Sequence, residues 1–163
     1  MAMQGSNLFL KLTGVSGESE ESNHKGEIEV ESFSEGLHNM SSAGTGGGQG
    51  VGRVEYQDFS FSCKLEKAIP TIMKFCADGK PVTETKFWAT KVGGSGKSYN
   101  YLEITLTNAR VSSVQVSGGA NQLGMVSVSM NFEKIKTEYW VENATGGQGA
   151  SSNAEWSNKE NKG

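Results

Sequence analysis

The chain has 163 residues, enough for one domain around a single core. Its formal charge is −3 and its pI about 5.5, so it has no basic excess to neutralise phosphates, which argues against nucleic acid as a partner. Glycine is frequent at 22 residues and proline rare at 2, a balance that points to turns between strands rather than to a disordered chain.

The N-terminal stretch "MAMQGSNLFLKLTG" lacks the basic region, long apolar region and small-residue cleavage site of a secretory signal. No apolar run approaches the roughly 18 residues of a membrane-crossing helix, so no membrane insertion is expected. The chain is expected to fold in the cytoplasm, with Cys63 and Cys76 reduced.

In chain order, "NLFLKL" places Leu8, Leu10 and Leu12 on one face of a strand. Residues 15–26 are acidic and polar and read as irregular, with His24 in a surface or hydrogen-bonding role. "GEIEVESFSEGL" alternates Ile28 and Val30 against Glu27, Glu29 and Glu31. Phe33 then breaks parity, and a bulge near Glu31–Ser32 turns it inward and Ser32 and Ser34 outward. Residues 39–52, "NMSSAGTGGGQGVG", form a long Gly/Ser loop of a kind that is usually functional or disordered. After it, "RVEYQDFSFSC" alternates again, through Val54 and Tyr56, then Phe59, Phe61 and Cys63.

"AIPTIMKFCADGK" reads as a helix of about two turns, with Pro70 at its first position and Gly79 as its stop. Ile69, Ile72, Met73 and Cys76 form its expected buried stripe, and Ile69 is a poor N-cap. "ETKFWATKV" and "YLEITLTNA" follow as strands, the second burying Leu102, Ile104 and Leu106. "MVSVSMNFEKIKTEYW" buries Val126, Val128, Met130 and Phe132, then shifts parity at a bulge near Glu133–Lys134. Repeated bulges on long strands imply a small, strongly curved barrel. Residues 142–163 read as a flexible polar tail behind a domain spanning 1–141.

Two glycine clusters mimic phosphate-binding loops. "KVGGSGKS" from Lys91 to Ser98 matches the second half of G-x-x-x-x-G-K-[ST], but Lys91 stands in place of the first glycine and a strand follows where a helix is needed. A hairpin loop is the better reading. "GGQGVGRV" from Gly47 to Val54 fits less well, with Arg53 and Val54 in place of Lys and Ser/Thr. No metal-ligand spacing and no G-x-S-x-G elbow appears. No enzyme, cofactor or metal is therefore expected. A strand-rich domain with a protruding loop suggests an assembly module, because sheet edges and long loops are contact surfaces for further copies. A monomeric small-ligand-binding β-barrel is the rival from another class.

Several stretches, in order, resemble the Hcp (haemolysin-coregulated protein) family, the inner-tube subunit of the bacterial type VI secretion system. They are "VSGESEESNHKGEIEV", "VESFSEG", the Gly-rich loop, "VEYQDFSFSCKLEKAIPTIMKFCADGK", "TKVGGSGKSYNYLEITLTNARVSSVQVSGG" with its "VSSV" at Val111 to Val114, and "VSVSMNFEKIKTEYW". The resemblance spans about residues 7–141. It implies a mainly β fold, a compact β-barrel of two curved antiparallel sheets with one short α-helix and an extended loop, similar to phage tail-tube proteins. It implies hexameric rings that stack into a hollow tube inside a sheath, with effectors, spike and sheath proteins as partners. It also implies a protein present in the cytoplasm and delivered outside without a signal peptide. Carried over residue by residue, Ser32 and Ser34 are the expected lumen and effector contacts. Met40, Ser41, Ser42, Gly44, Gly46, Gly47, Gly48 and Gly50 belong to the loop expected to reach a neighbouring subunit. A phage-type tail-tube protein is the related alternative.

Overall fold

A computed structural model of the chain describes residues 7–39 and 53–163. Its elements are β1 (Asn7–Leu12), β2 (Ile28–Ser34), β3 (Leu37–Asn39), β4 (Val54–Tyr56), β5 (Phe59–Lys64), α1 (Ile69–Asp78), β6 (Val82–Val92), β7 (Ser98–Gly119), β8 (Gln122–Asn131), β9 (Lys134–Glu142) and β10 (Gln148–Ser157). The main sheet runs β10-β9-β7-β6-β1-β2-β5-β8, every neighbour antiparallel, and a further β7–β8 pairing closes it. Six strands therefore make a barrel, and β9 and β10 extend the sheet beyond it.

The long strand β7 makes closure possible. Leu102–Thr107 pairs with β9, whereas Arg110–Gly119 pairs with β8. The change of partner falls at Asn108, which has φ 48° and donates its side-chain amide to Glu133 at 3.1 Å. Opposite it the chain breaks between Asn131 and Lys134. The expected bulge at Glu133–Lys134 is thus a full break separating two strands, because β7 bends there and no single straight partner can follow it.

The barrel interior is filled by side chains. Phe59, Phe87, Leu10, Ile104, Leu106 and Met130 are all essentially inaccessible. The alternation read from the sequence supplies them, and the bulge expected at Glu31–Ser32 lies between the Val30 and Ser32 pairings of β2 with β5. Past it Phe33 turns to the barrel mouth, its ring 4.4 Å from that of Phe87.

The helix α1 begins with Pro70 in its first turn and ends at Gly79, whose φ is 65°. It is 10 residues long, nearly three turns, and Ala68 caps it without a side-chain bond. Ile69 and Ile72 are buried as expected, but Met73 is exposed and Cys76 half-buried. Cys76 packs against the core as expected, and buried Ala68 and partly buried Phe75 join it in place of Met73, so the apolar stripe is rotated from the one expected.

The segment expected as a flexible tail is ordered over Gln148–Ser157, where β10 pairs with β9 from Gln148↔Glu142 to Ser157↔Lys134. The sheet thus continues past residue 141. Small polar residues such as Ser151, Ser152, Asn153 and Ala154 carry no apolar alternation, because most of this edge strand faces solvent. Ladder bonds and Trp156, which packs against the core, hold it instead.

Candidate functional site

Four strands share one outward face. The alternation that turns Val30, Phe59, Phe61, Val126, Val128 and Val111 into the core turns small hydroxyl residues the other way. The pairings align them into two rungs across the sheet. Ser32 lies opposite Ser62, Ser62 opposite Ser127, and Ser127 opposite Gln115. Ser34 lies opposite Ser60, Ser60 opposite Ser129, and Ser129 opposite Ser113. Ser32 and Ser62 are hydrogen-bonded Oγ to Oγ at 2.5 Å, and Ser60 and Ser129 at 3.0 Å. Neither rung carries a charge.

The charges at the borders of this face are engaged locally. Lys64 lies 3.8 Å from Glu31. Ser112, the extra residue of a bulge in β7, donates to Asp58 at 2.6 Å, and Arg110 donates to the carbonyl of Gly79 at 3.2 Å. Behind the face Cys63 is fully buried. Its burial, with Glu66 and Glu31 nearby, pushes the thiol up to about 12, so it stays a neutral core group rather than a nucleophile.

The same four strands end on two one-sided edges. Among the described residues, Ser32–Ser34 of β2 pairs only with β5, because the described part of β1 covers just Ile28–Val30. Among the described residues, Ser113–Ser117 of β7 likewise pairs only with β8.

Beside the face, β3 and β4 form a short ribbon in which Leu37 lies opposite Tyr56. His38 and Glu55 pair across it at 3.2 Å. At its root Glu35 is partly buried, its Oε2 without a hydrogen-bond partner among the described residues, and burial raises its carboxyl above the ordinary value. The loop positions Met40, Ser41, Ser42, Gly44, Gly46, Gly47, Gly48 and Gly50 lie outside the described residues, between the two ribbon strands.

The remaining sequence candidates fall elsewhere. Gly93–Lys97 is the β6–β7 hairpin loop, with Gly96 at φ 79°, and leads into a strand, so it has no helix to hold a phosphate. It packs on the β9–β10 loop, where Ser95 Oγ donates to Gly146 at 3.0 Å. His24 is buried, not at the surface. Its ring stacks on Phe9 at 4.3 Å and bonds Glu27 at 2.7 Å and Asn100 at 3.2 Å, pinning the 15–26 segment to the barrel.

Of the eight rung residues, sequence reasoning singled out Ser32 and Ser34. Ser60, Ser62, Ser113, Gln115, Ser127 and Ser129 went unmarked. The available signal was the repeated Ser–apolar–Ser pattern in "SFS" (twice) and "SVS", which puts hydroxyls opposite core residues on separate strands.

Residues 9–139 match the family model described as type VI secretion system effector, Hcp. The chain belongs to the Hcp family. It is 35% identical over 141 residues to Protein hcp1 of Pseudomonas aeruginosa, covering 85% of this chain and 86% of that protein. The crystal structure of Hcp1 from Salmonella typhimurium superposes with a TM-score of 0.80 at 30% identity, over 96% of this chain and 97% of that one. A type six secretion system protein shares the fold at TM-score 0.85 and 21% identity, over 97% and 99% of the two chains. Hcp is a family of structural tube proteins of type VI secretion and is not a known enzyme family. Among the described residues no helix is long and apolar enough to cross a membrane.

Proposed function

We propose that this chain forms hexameric rings that stack into the type VI inner tube and carry effectors in the bore. Spike and sheath proteins are the further partners in this reading, and the cytoplasm and the target side its two locations. One observation carries it: a four-stranded, hydroxyl-faced sheet ends in two strand edges that each lack a partner on one side among the described residues. An unpaired edge is a template for another strand. Two different edges on one subunit favour a head-to-tail contact, which closes into a ring when the rotation allows. A ring built this way turns one face of each sheet to a common interior, and Ser32 and Ser34 then line that interior as expected lumen positions. Small uncharged hydroxyls suit a bore that must let proteins pass, because they exchange hydrogen bonds with water at little net gain.

The rival monomeric ligand carrier needs a hollow barrel, and this barrel is packed with Phe59, Phe87 and their neighbours. The mass in solution tests the reading. Light scattering on a size-exclusion column, across a concentration series, is expected to reach six times the 17.4 kDa chain. A monomer at every concentration would sink it.

A further inference from the structure

The core side of the same four strands is unfinished at both edges. The pairings that align the hydroxyl rungs also align an apolar row behind them. Phe33 lies opposite Phe61, Phe61 opposite Val128, and Val128 opposite Val114. The two middle residues are buried, Phe61 at 3% exposure and Val128 at 1%. The end residues are not. Phe33, at the β2 edge, is 37% exposed although its ring already leans on Phe87. Val114, at the β7 edge, is half-buried, and Val116, the next residue on that side, is 43% exposed. Both ends stand where, among the described residues, the strand has no second partner.

We infer that Phe33 of one copy packs against Val114 and Val116 of the next, so that the apolar row runs on across the joint between two strand edges. The inference rests on the tube reading above and names the side chains that hold its contact between copies. A scattered exposed apolar residue needs no partner. Here the exposure falls at the two ends of one row, and each end lies beside an unpaired backbone edge. The two edges also match in direction. The four strands are antiparallel and even in number, so β2 and β7 run in opposite senses. A copy turned about an axis roughly along the strands therefore presents its β7 edge antiparallel to β2, like every other pair in the sheet. The hydroxyl rungs then continue on one face and the apolar row on the other. A passenger in the bore meets the hydroxyl face, on the opposite side of the sheet. A copy stacked along the axis covers strand ends and leaves the sides of these strands open. The backbone bonds of the joint give little net affinity, because they replace bonds to water. Burial of one phenylalanine and two valines supplies it.

The test uses the full chain as wild type, Phe33→Asp and Val116→Asp, each variant alone and the two mixed. Every contact uses the β2 edge of one copy and the β7 edge of the next, so either substitution spoils every contact in its own protein. In the mixture one combination is intact: Phe33 of the Val116→Asp protein against Val116 of the Phe33→Asp protein. Light scattering across a concentration series reads the mass, and melting followed by circular dichroism checks that each variant is folded. Phe33→Ala replaces Phe33→Asp where the latter does not fold. Each variant alone is expected to stay at the 17.4 kDa monomer up to about tenfold the concentration at which wild type assembles. The mixture is expected to reach twice that mass and stop, because the two-chain species carries a spoiled edge at either end. A folded variant that assembles like wild type overturns the inference and leaves the tube reading standing. So does a mixture that stays monomeric at the highest concentration, or one that builds full rings. A wild-type protein that forms no ring refutes the tube reading and this inference together.

Discussion

At the scale of single residues the barrel and the hydroxyl face respond to opposite changes. Phe59 is inaccessible and touches Phe33, Phe61 and Phe87 across the core. Phe59→Ala leaves a cavity that the closed barrel cannot collapse, and is expected to cost about 3–5 kcal/mol in denaturant unfolding. Ser34 is exposed on the other side of the same sheet. Ser34→Arg is expected to change stability by no more than about 0.5 kcal/mol. In the proposed tube its effect falls on the bore, where a bulky charge should block effector loading while ring mass is unchanged; co-purification of effector from the producing cell reads the difference. Glu35 acts through pH. Burial raises its folded carboxyl above the ordinary value, so the protonated form favours the fold. That contribution is fully present below the ordinary carboxylate range and is lost as pH rises through the raised value. Glu35→Gln stays neutral and is expected to melt higher than wild type near neutral pH, with the gap closing as pH falls through the raised value and gone below 4.5. A gap that widens on acidification would show that the ionised form is the one stabilised.

Among the elements, those with an apolar period were readable and those without one were not. Leu8, Leu10 and Leu12 announce β1, and Phe59, Phe61 and Cys63 announce β5, because one face of each is buried. The bulge after Val30 was legible because Phe33 breaks the parity of Ile28 and Val30, although Phe33 reaches only the edge of the core, 37% exposed with its ring against Phe87. The strand β10 had no such signal. Its side chains are small and polar, and its order comes from the ladder to β9, which sequence alone does not display. The stripe of α1 was misjudged at Met73, since the register of a short helix is set by what it packs on rather than by its own pattern. The docking of β10 can be tested through Trp156, the large apolar residue that anchors it to the core. Trp156→Ala is expected to cost about 2 kcal/mol, less than a fully buried aromatic because Trp156 is half-buried. It should also open cleavage sites after Glu142 in limited proteolysis that the wild type protects. Unchanged protection would mean that the ladder holds the strand without the anchor.

For the whole molecule, the closed barrel and the candidate interface follow from the same chain economy. The barrel closes because β7 runs 22 residues and changes partner at Asn108. The second half of β7 is thereby committed to β8 and, among the described residues, left one-sided, which completes the four-stranded hydroxyl face. The sequence showed the individual strands but not that their serines align, since alignment depends on pairings between residues as much as 69 positions apart, as between Ser60 and Ser129. The ribbon of β3 and β4 stands beside this face and carries residues 40–52 between its strands. If that segment clasps a neighbouring subunit, its loss should act on assembly more than on the fold, because the core among the described residues is built mainly by the barrel strands and α1. Deleting Gly44–Gly50 is therefore expected to leave the melting temperature of the monomer within a few degrees. It should raise the concentration at which rings appear in light scattering. Rings that persist undiminished at the lowest wild-type assembly concentration would remove the loop from the interface and leave the two strand edges as the whole of the contact.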